Sequence, residues 1–406
     1  MTVDILAGPS VAERRARIAV AVLFLTNGAL FANLLPRYPE IKADLGMGNA
    51  GYGLAVAAFP AGAVAAGLAA GVLVRRFGSA RVAVAGTLLT GLGTLAAGTA
   101  GSVPVFAAAL FLAGAMDAVT DVAQNAHGLR VQRRYGRSII NSFHAVWSIG
   151  AVTGGAMAAA AIALDLTRGQ HLTVSAVVFT VAAALALRYC LPGPDTGPDT
   201  DTGIGTETDG HAARDSRPTG VARRTVYVLT ALVLIATAGT LVEDAGNSWA
   251  ALYLSGPLHA SAALAASGYI ALVGAQFVGR VIGDRLVDRF GQRAVARAGG
   301  LITAAGMGLA LAVPTLPGTV AGFAAAGFGV ATLVPAAMHE ADTLPGLKPG
   351  SGLTIVSWLM RLGFLLSPPL VGLVADAAGL RLGLLVVPLA GVLVIVLAGV
   401  LRPRAR

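Results

Sequence analysis

The chain is poor in charge, in aromatic rings and in cysteine. Only 12% of its 406 residues are charged and 6% are aromatic, whereas a soluble domain carries roughly 25% charged residues. So little charge cannot cover a water-exposed surface of this size. The space is taken by apolar residues, 56% of the total, gathered into runs long enough to cross a bilayer, for which ~20 residues suffice. The single cysteine, Cys190, excludes an intrachain disulfide and a thiol-based metal cluster, and among apolar neighbours it reads as a small core residue. The sequence also has no GxxxxGK followed by Ser or Thr, no HExxH and no paired-cysteine spacing. Nothing therefore points to ATP-driven transport, a metal centre, a cofactor or enzymatic chemistry.

A formal charge of +9 would suggest nucleic-acid binding in a soluble protein, but the positions of the basic residues argue against it. If apolar spans alternate across a membrane, nearly all Lys and Arg fall on one side. The exceptions are Arg37, Lys42, Arg168, Arg381 and the intramembrane Arg361. By the positive-inside rule the basic side is cytoplasmic, which places both termini there in a cell (inner) membrane. The N-terminal arginines followed by an apolar run resemble a signal peptide. Asn33 and Pro36 stand where a small-residue cleavage site belongs, and more spans follow, so no cleavage is expected.

Twelve spans fit the sequence: Ile18–Leu35, Gly51–Val74, Val82–Ala97, Val103–Ala126, Ser138–Leu164, Leu172–Cys190, Thr225–Gly246, Ser261–Ile282, Ala294–Val313, Gly318–His339, Ser351–Val374 and Gly379–Leu401. Arg130, Arg133, Arg134 and Arg137 are placed in the loop after span 4, and Gly283–Arg293 in the loop after span 8. Residues 1–190 and 225–406 form two six-span halves. Between them, residues 191–224 are rich in Pro, Gly, Asp and Thr, which suits a polar cytoplasmic linker. RRFG (75–78) and DRFG (288–291) fall at the same turn of each half, as an internal duplication would produce. Pro335, Pro368 and Pro369 are expected to bend spans 10 and 11.

Within span 4, Asp117, Asp121, Gln124 and Asn125 recur at i, i+4, i+7 and i+8, one stripe of a helix. An acid at bilayer depth costs at least ~2.5 kcal/mol unless it faces a partner or a wet passage. Span 5 adds His144 and Trp147, span 1 Asn27, span 8 Gln276 and span 11 Arg361. Glu243 and Asp244 are placed at the outer end of span 7.

Asp288, Arg289, Gly291 and Arg293 resemble the inner-turn signature G-x-x-x-D-R-x-G-R-R of the major facilitator superfamily. The first half keeps Gly71, Arg76 and Gly78 but has Arg75 where the aspartate belongs. Residues 121–150, 243–254 and 363–372 are similar to its YbjJ-type branch, related to fucose permeases. The resemblance implies an all-α integral membrane fold of two pseudo-symmetric six-helix bundles that rock about a cavity lined by spans 1, 4, 7 and 10.

The expected function is proton-coupled secondary transport of a small polar or zwitterionic solute by alternating access, by a monomer whose partners are solute, protons and lipid. Asp117, Asp121, His144 and Glu243 are the candidate proton-coupling groups. Asn27, Gln124, Trp147, Gln276 and Arg361 are the candidate substrate contacts, and Arg76, Asp288, Arg289 and Glu340 a cytoplasmic gate. Asp121 and His144 can share a proton or form a static clasp; Arg361 can hold a substrate anion or pair with Asp117 or Glu243. The direction leans to export of a metabolite or drug. Import of a sugar-like nutrient is the alternative, and a non-transporting membrane receptor or assembly partner the alternative of another class.

Overall fold

In the computed structural model, residues 10–136, 139–193, 223–347 and 351–401 are described. The central part of the expected linker, 194–222, lies outside them. The first half contains α1 (Val11–Ala32), a 3-10 turn (Leu35–Arg37), α2 (Tyr38–Asp44), α3 (Asn49–Val56), α4 (Ala58–Phe77), α5 (Ser79–Gly98), α6 (Val103–Tyr135), α7 (Ile140–Ala163) and α8 (Arg168–Leu187). The second contains α9 (Arg223–Ser255), α10 (Ala262–Phe290), α11 (Gln292–Ala312), α12 (Leu316–Val330), α13 (Leu333–Asp342), α14 (Ser351–Leu359), α15 (Arg361–Ala378), α16 (Leu380–Gly383) and α17 (Val386–Leu397). Together they make twelve spans of membrane length, several of them built from consecutive helices: α3 with α4, α12 with α13, α14 with α15, and α16 with α17.

Local chemistry explains most of the boundaries. Ser10 and Glu13 form a reciprocal capping box that starts α1, satisfying two otherwise orphaned N–H groups. The two echoing turns are alike in backbone as well as sequence. Gly78 closes α4 at φ 87° and Gly291 closes α10 at φ 83°, a conformation that glycine adopts without a Cβ penalty. The break between α12 and α13 falls at Ala331, four residues before Pro335, where the proline ring meets the preceding turn's carbonyl. Span 11 instead breaks at Met360, and α15 runs on through Pro368 and Pro369.

Several helices outrun their apolar cores, which corrects four expectations. Arg130, Arg133 and Arg134 are in α6 and not in a loop, because nothing breaks that helix before Gly136 at φ 68°. Most of 283–293 is likewise helical, since α10 continues to Phe290. Span 7 was expected to break near Asn247, yet α9 is one helix of 33 residues. Glu243 therefore lies not at its outer end but ~18 Å below it at 1.5 Å per residue. Arg280, two residues before the expected end of span 8, lies ~15 Å from the end of α10 by the same rise.

Within the first half α1 packs on α7 and α8, and α6 packs on α4 and α5; in the second α12 packs on α10 and α11, and α9 on α15. Small residues allow this closeness: a Cβ on Gly62 would sit 1.9 Å from the Phe111 carbonyl oxygen, the tight packing that substitutes for hydrophobic drive in lipid. Large apolar side chains such as Leu54, Leu309 and Val396 point outward.

The halves meet chiefly through α3 with α15 and α7 with α10. The Tyr52 hydroxyl donates to the Ser248 carbonyl at 2.7 Å, and Tyr52 stands edge-on to Trp249 with ring centroids 4.9 Å apart. The Asp376 carboxylate accepts from the Asn49 and Ala50 backbone N–H groups at 2.9 and 2.8 Å, capping the N-terminus of α3 from the opposite half. The Tyr269 hydroxyl donates to the Ala151 carbonyl at 3.4 Å. The Tyr52 and Asp376 bonds lie in the half of the molecule remote from the basic turns, so that end is closed.

Candidate functional site

Six of the singled-out side chains meet in the first half. Asn27 of α1 donates from Nδ2 to Asp117 Oδ1 at 2.8 Å. Its Oδ1 accepts from Trp147 Nε1 of α7 at 2.8 Å and from Gln124 Nε2 of α6 at 3.3 Å. Gln124 Nε2 also reaches Asp121 Oδ1 at 3.3 Å, and Asn125 Nδ2 donates to the same oxygen at 3.0 Å. One continuous polar network thus ties three helices together, and the helical stripe on α6 supplies most of it. Asn27 and Gln124 are buried, Asp117 and Trp147 half-buried, and Asp121 exposed.

The second half presents a smaller cluster. Gln276 Nε2 donates to Glu243 Oε2 at 2.7 Å, and Arg280 Nη2 stands 3.6 Å from that oxygen. Gln276 and Arg280 are four residues apart on α10 and so share a face.

Charges from the two halves face each other. His144 and Arg361 lie near enough to Asp121 for their charges to act on it, and Arg280 acts likewise on His144. Asp121, His144, Arg280 and Arg361 are all exposed. Exposed charges at this depth require water or a partner.

Some expected pairings are not formed. His144 makes no hydrogen bond to Asp121; its ring instead packs edge-on against Phe24 with centroids 5.2 Å apart. Arg361 forms no ion pair with Asp117 or Glu243 among the described residues. Its guanidinium, at the first turn of α15, is left facing Asp121 across the gap. At the basic end, Arg76 and Arg289 lie over their own neighbours Phe77 and Phe290. Among the described residues none of Arg76, Asp288 and Arg289 enters an ion pair, and Glu340 is buried in α13. Arg76, Asp288 and Arg289 are thus not latched to one another while the opposite end is shut.

Two residues of this region escaped the sequence reading. Arg280 was not singled out, since span 8 was ended at Ile282; the absence of any helix breaker before Gly291 was the signal that α10 continues. Asp244 was placed with Glu243 at a solvated outer end, but it is buried. The apolar run 248–254 beyond it could have shown that span 7 had not ended. A shallow depression at the outer end, lined by Lys42, Asn49 and Ser255 among others, is separate from these charges.

Comparison with known proteins agrees with this architecture. The model of the Major Facilitator Superfamily matches residues 20–285 and 244–406. An uncharacterized transporter, y4wD, of Sinorhizobium fredii is 32% identical over 385 residues, covering 94% of this chain and 97% of that protein. Among solved structures, an inward-facing bacterial homolog of the human lysosomal transporter Spinster aligns with a TM-score of 0.72 at 13% identity, covering 97% of this chain and 98% of the other. A D-xylose-proton symporter aligns with a TM-score of 0.70 at 15% identity, over 95% and 96% of the two chains. With its twelve spans, its two facing clusters of polar groups and a family match across both halves, the chain belongs to the Major Facilitator Superfamily and is a multi-pass membrane transporter.

Proposed function

We propose that the protein is a proton-coupled secondary transporter of a small polar or zwitterionic solute, working by alternating access with both termini in the cytoplasm of a cell whose inner membrane it spans. The observation that carries this reading is the convergence of exposed Asp121 and His144 from one half with Arg280 and Arg361 from the other. A zwitterion fits such a space from both sides. Arg361, which forms no ion pair among the described residues, is suited to an anionic group of the solute, while Asn27, Gln124 and Trp147 offer hydrogen bonds and a ring face. Asp117 is the proton carrier: it is half-buried and bonded to one neutral amide, so its charge depends on access to water. Export of a metabolite is the favoured direction, and import of a sugar-like nutrient is the second reading. The second is favoured by the similarity of 121–150 to a branch related to fucose permeases and by the symporter named among the structural neighbours.

The test is uptake by proteoliposomes, under an imposed pH gradient, of a panel of radiolabelled amino-acid and polyol solutes. Asp117→Asn is expected to abolish the gradient-driven component while solute exchange without a gradient persists. Gradient-driven transport equal to that of the unmodified protein refutes the assignment.

A further inference from the structure

Span 11 is broken without a proline to break it. In spans 2, 10 and 12 the ring of Pro60, Pro335 or Pro388 follows the break by three or four residues, where it removes an N–H donor and meets the carbonyl of the turn before. In span 11 the break falls at Met360, and the next proline, Pro368, is eight residues on, inside α15. Some other group has to draw the Met360 carbonyl out of the helical ladder.

That group is a hydroxyl of α9. Thr240 Oγ1 donates to the Met360 carbonyl at 2.7 Å, nearer than the Thr237 carbonyl of its own helix at 3.0 Å. The Met360 carbonyl also accepts from the Gly363 N–H at 2.9 Å, three residues on, the spacing of a 3-10 turn. By contrast, the Ala57 carbonyl at the break in span 2 keeps the ordinary bond from Ala61, four residues on, at 3.1 Å. Thr240 is buried, and there a carbonyl drawn from the ladder needs a partner. Close approach makes the bond possible. A Cβ on Gly363 would lie 2.1 Å from Thr240 Oγ1, 2.7 Å from the Thr237 carbonyl oxygen and 2.9 Å from the Leu241 nitrogen, so glycine is what lets α15 come this near α9.

The peptide unit whose oxygen Thr240 holds is the one that carries the Arg361 N–H. It is planar, so fixing its oxygen fixes the direction in which Arg361 leaves the backbone. Arg361 is exposed and near enough to Asp121 of the opposite half for the two charges to act on each other. We infer that Thr240 is a positioning residue: its hydroxyl, seated at the junction of α14 and α15, makes the break in span 11 and turns residue 361 toward the first half. Glu243 follows Thr240 by three residues, so one turn of α9 sets both the acid bonded to Gln276 and the bearing of Arg361. The inference rests on the proposed function only for the role of Arg361 toward solute.

The experiment reads residue 361 directly, without solute or gradient. Full-length protein in lipid nanodiscs carries Arg361→Cys in a Cys190→Ser background, which leaves one thiol. That thiol is modified by a cationic and, separately, by an anionic methanethiosulfonate of similar size at pH ~8, well above the ordinary carboxylate range. The ratio of the two rates, followed by mass spectrometry, reports the potential at residue 361. With Thr240 present, Asp121→Asn is expected to lower the ratio about fivefold, the effect of one carboxylate ~8 Å away in water. In Thr240→Val and Thr240→Ala, which remove the hydroxyl with and without keeping the volume, the same Asp121→Asn step is expected to shrink below about twofold as residue 361 turns away. Thr240→Ser, which keeps the hydroxyl, is expected to preserve it. Comparing each step with and without Asp121 cancels the contribution of the other charges nearby. No effect of Asp121→Asn with Thr240 present, an undiminished effect in both Thr240→Val and Thr240→Ala, or a loss in Thr240→Ser as large as in Thr240→Val overturns the inference. The first of these needs no change at Thr240, so it is decided however the Thr240 variants fold. Since no transport is read, failure of the Asp117→Asn test leaves this result standing, and the reverse also holds.

Discussion

The outer seam is held so tightly by backbone that a single methyl group is expected to open it. A Cβ built on Gly53 of α3 would lie 2.2 Å from the Pro368 carbonyl oxygen, 2.7 Å from its carbon and 3.1 Å from Pro369 Cα. All three are main-chain atoms of the opposite half, so no side chain can swing away. Restoring ordinary contact requires the two helices to part by roughly 1 Å. Overpacking of this kind costs about 1–3 kcal/mol, and it falls on the closed state alone, because opening separates α3 from α15. The closed-to-open ratio in Gly53→Ala should therefore drop by roughly 5- to 150-fold at fixed pH, read as the distance between spin labels at Gly101→Cys and Pro314→Cys, in loops of the two halves at that end, in a Cys190→Ser background. Two controls isolate the cause. Gly62→Ala places its Cβ 1.9 Å from the Phe111 carbonyl oxygen within one half; it should lower thermal stability without favouring the open form. Gly51→Ala, with nothing within 4 Å, should change neither. An outer distance in Gly53→Ala equal to the parent's, or a shift of the same size in Gly62→Ala, would show that the seam is not what holds the end shut.

Two further outcomes follow from named bonds. Asp376→Asn keeps the shape of the side chain but removes the charge that caps α3 across the seam; a carboxylate at a helix N-terminus is favourable, so the variant should populate the open outer end more than the parent in the same distance measurement, and no change would deny the cap a role in closure. Asn27→Ala removes bonds to Asp117, Trp147 and Gln124. At ~1 kcal/mol per bond, and with water able to reach half-buried Asp117 and Trp147, a loss of about 2 kcal/mol is expected in unfolding experiments in detergent, whereas an unchanged stability would mean that water replaces the amide fully.

The polar network on α6 was legible because helical spacing alone puts Asp117, Asp121 and Gln124 on one face, and because acids within an apolar run stand out. Asn27 and Trp147 were legible as polar or amphipathic residues at membrane depth, though not as partners of each other. Their meeting depends on α1 packing against α7 through glycines such as Gly28 and Gly150, whose bare Cα atoms face the other helix's carbonyls. Asp244 was misjudged because two acids and an asparagine interrupt the apolar run of α9, which resumes at Trp249; the depth of Arg280 was hidden because hydropathy marks where apolar residues stop, while α10 stops only at Gly291.

By itself the sequence determined that the chain lies in a membrane, that it crosses twelve times in two echoing halves, and which charges are out of place there. Those conclusions need only residue type, spacing and the cost of charge in lipid. The tertiary structure decided which charges face one another, that one end is closed by Tyr52, Gly53 and Asp376, and that Asp244 is sealed beneath it. Such contacts join residues hundreds of positions apart, and their geometry depends on how two bundles lean together, which no local pattern encodes.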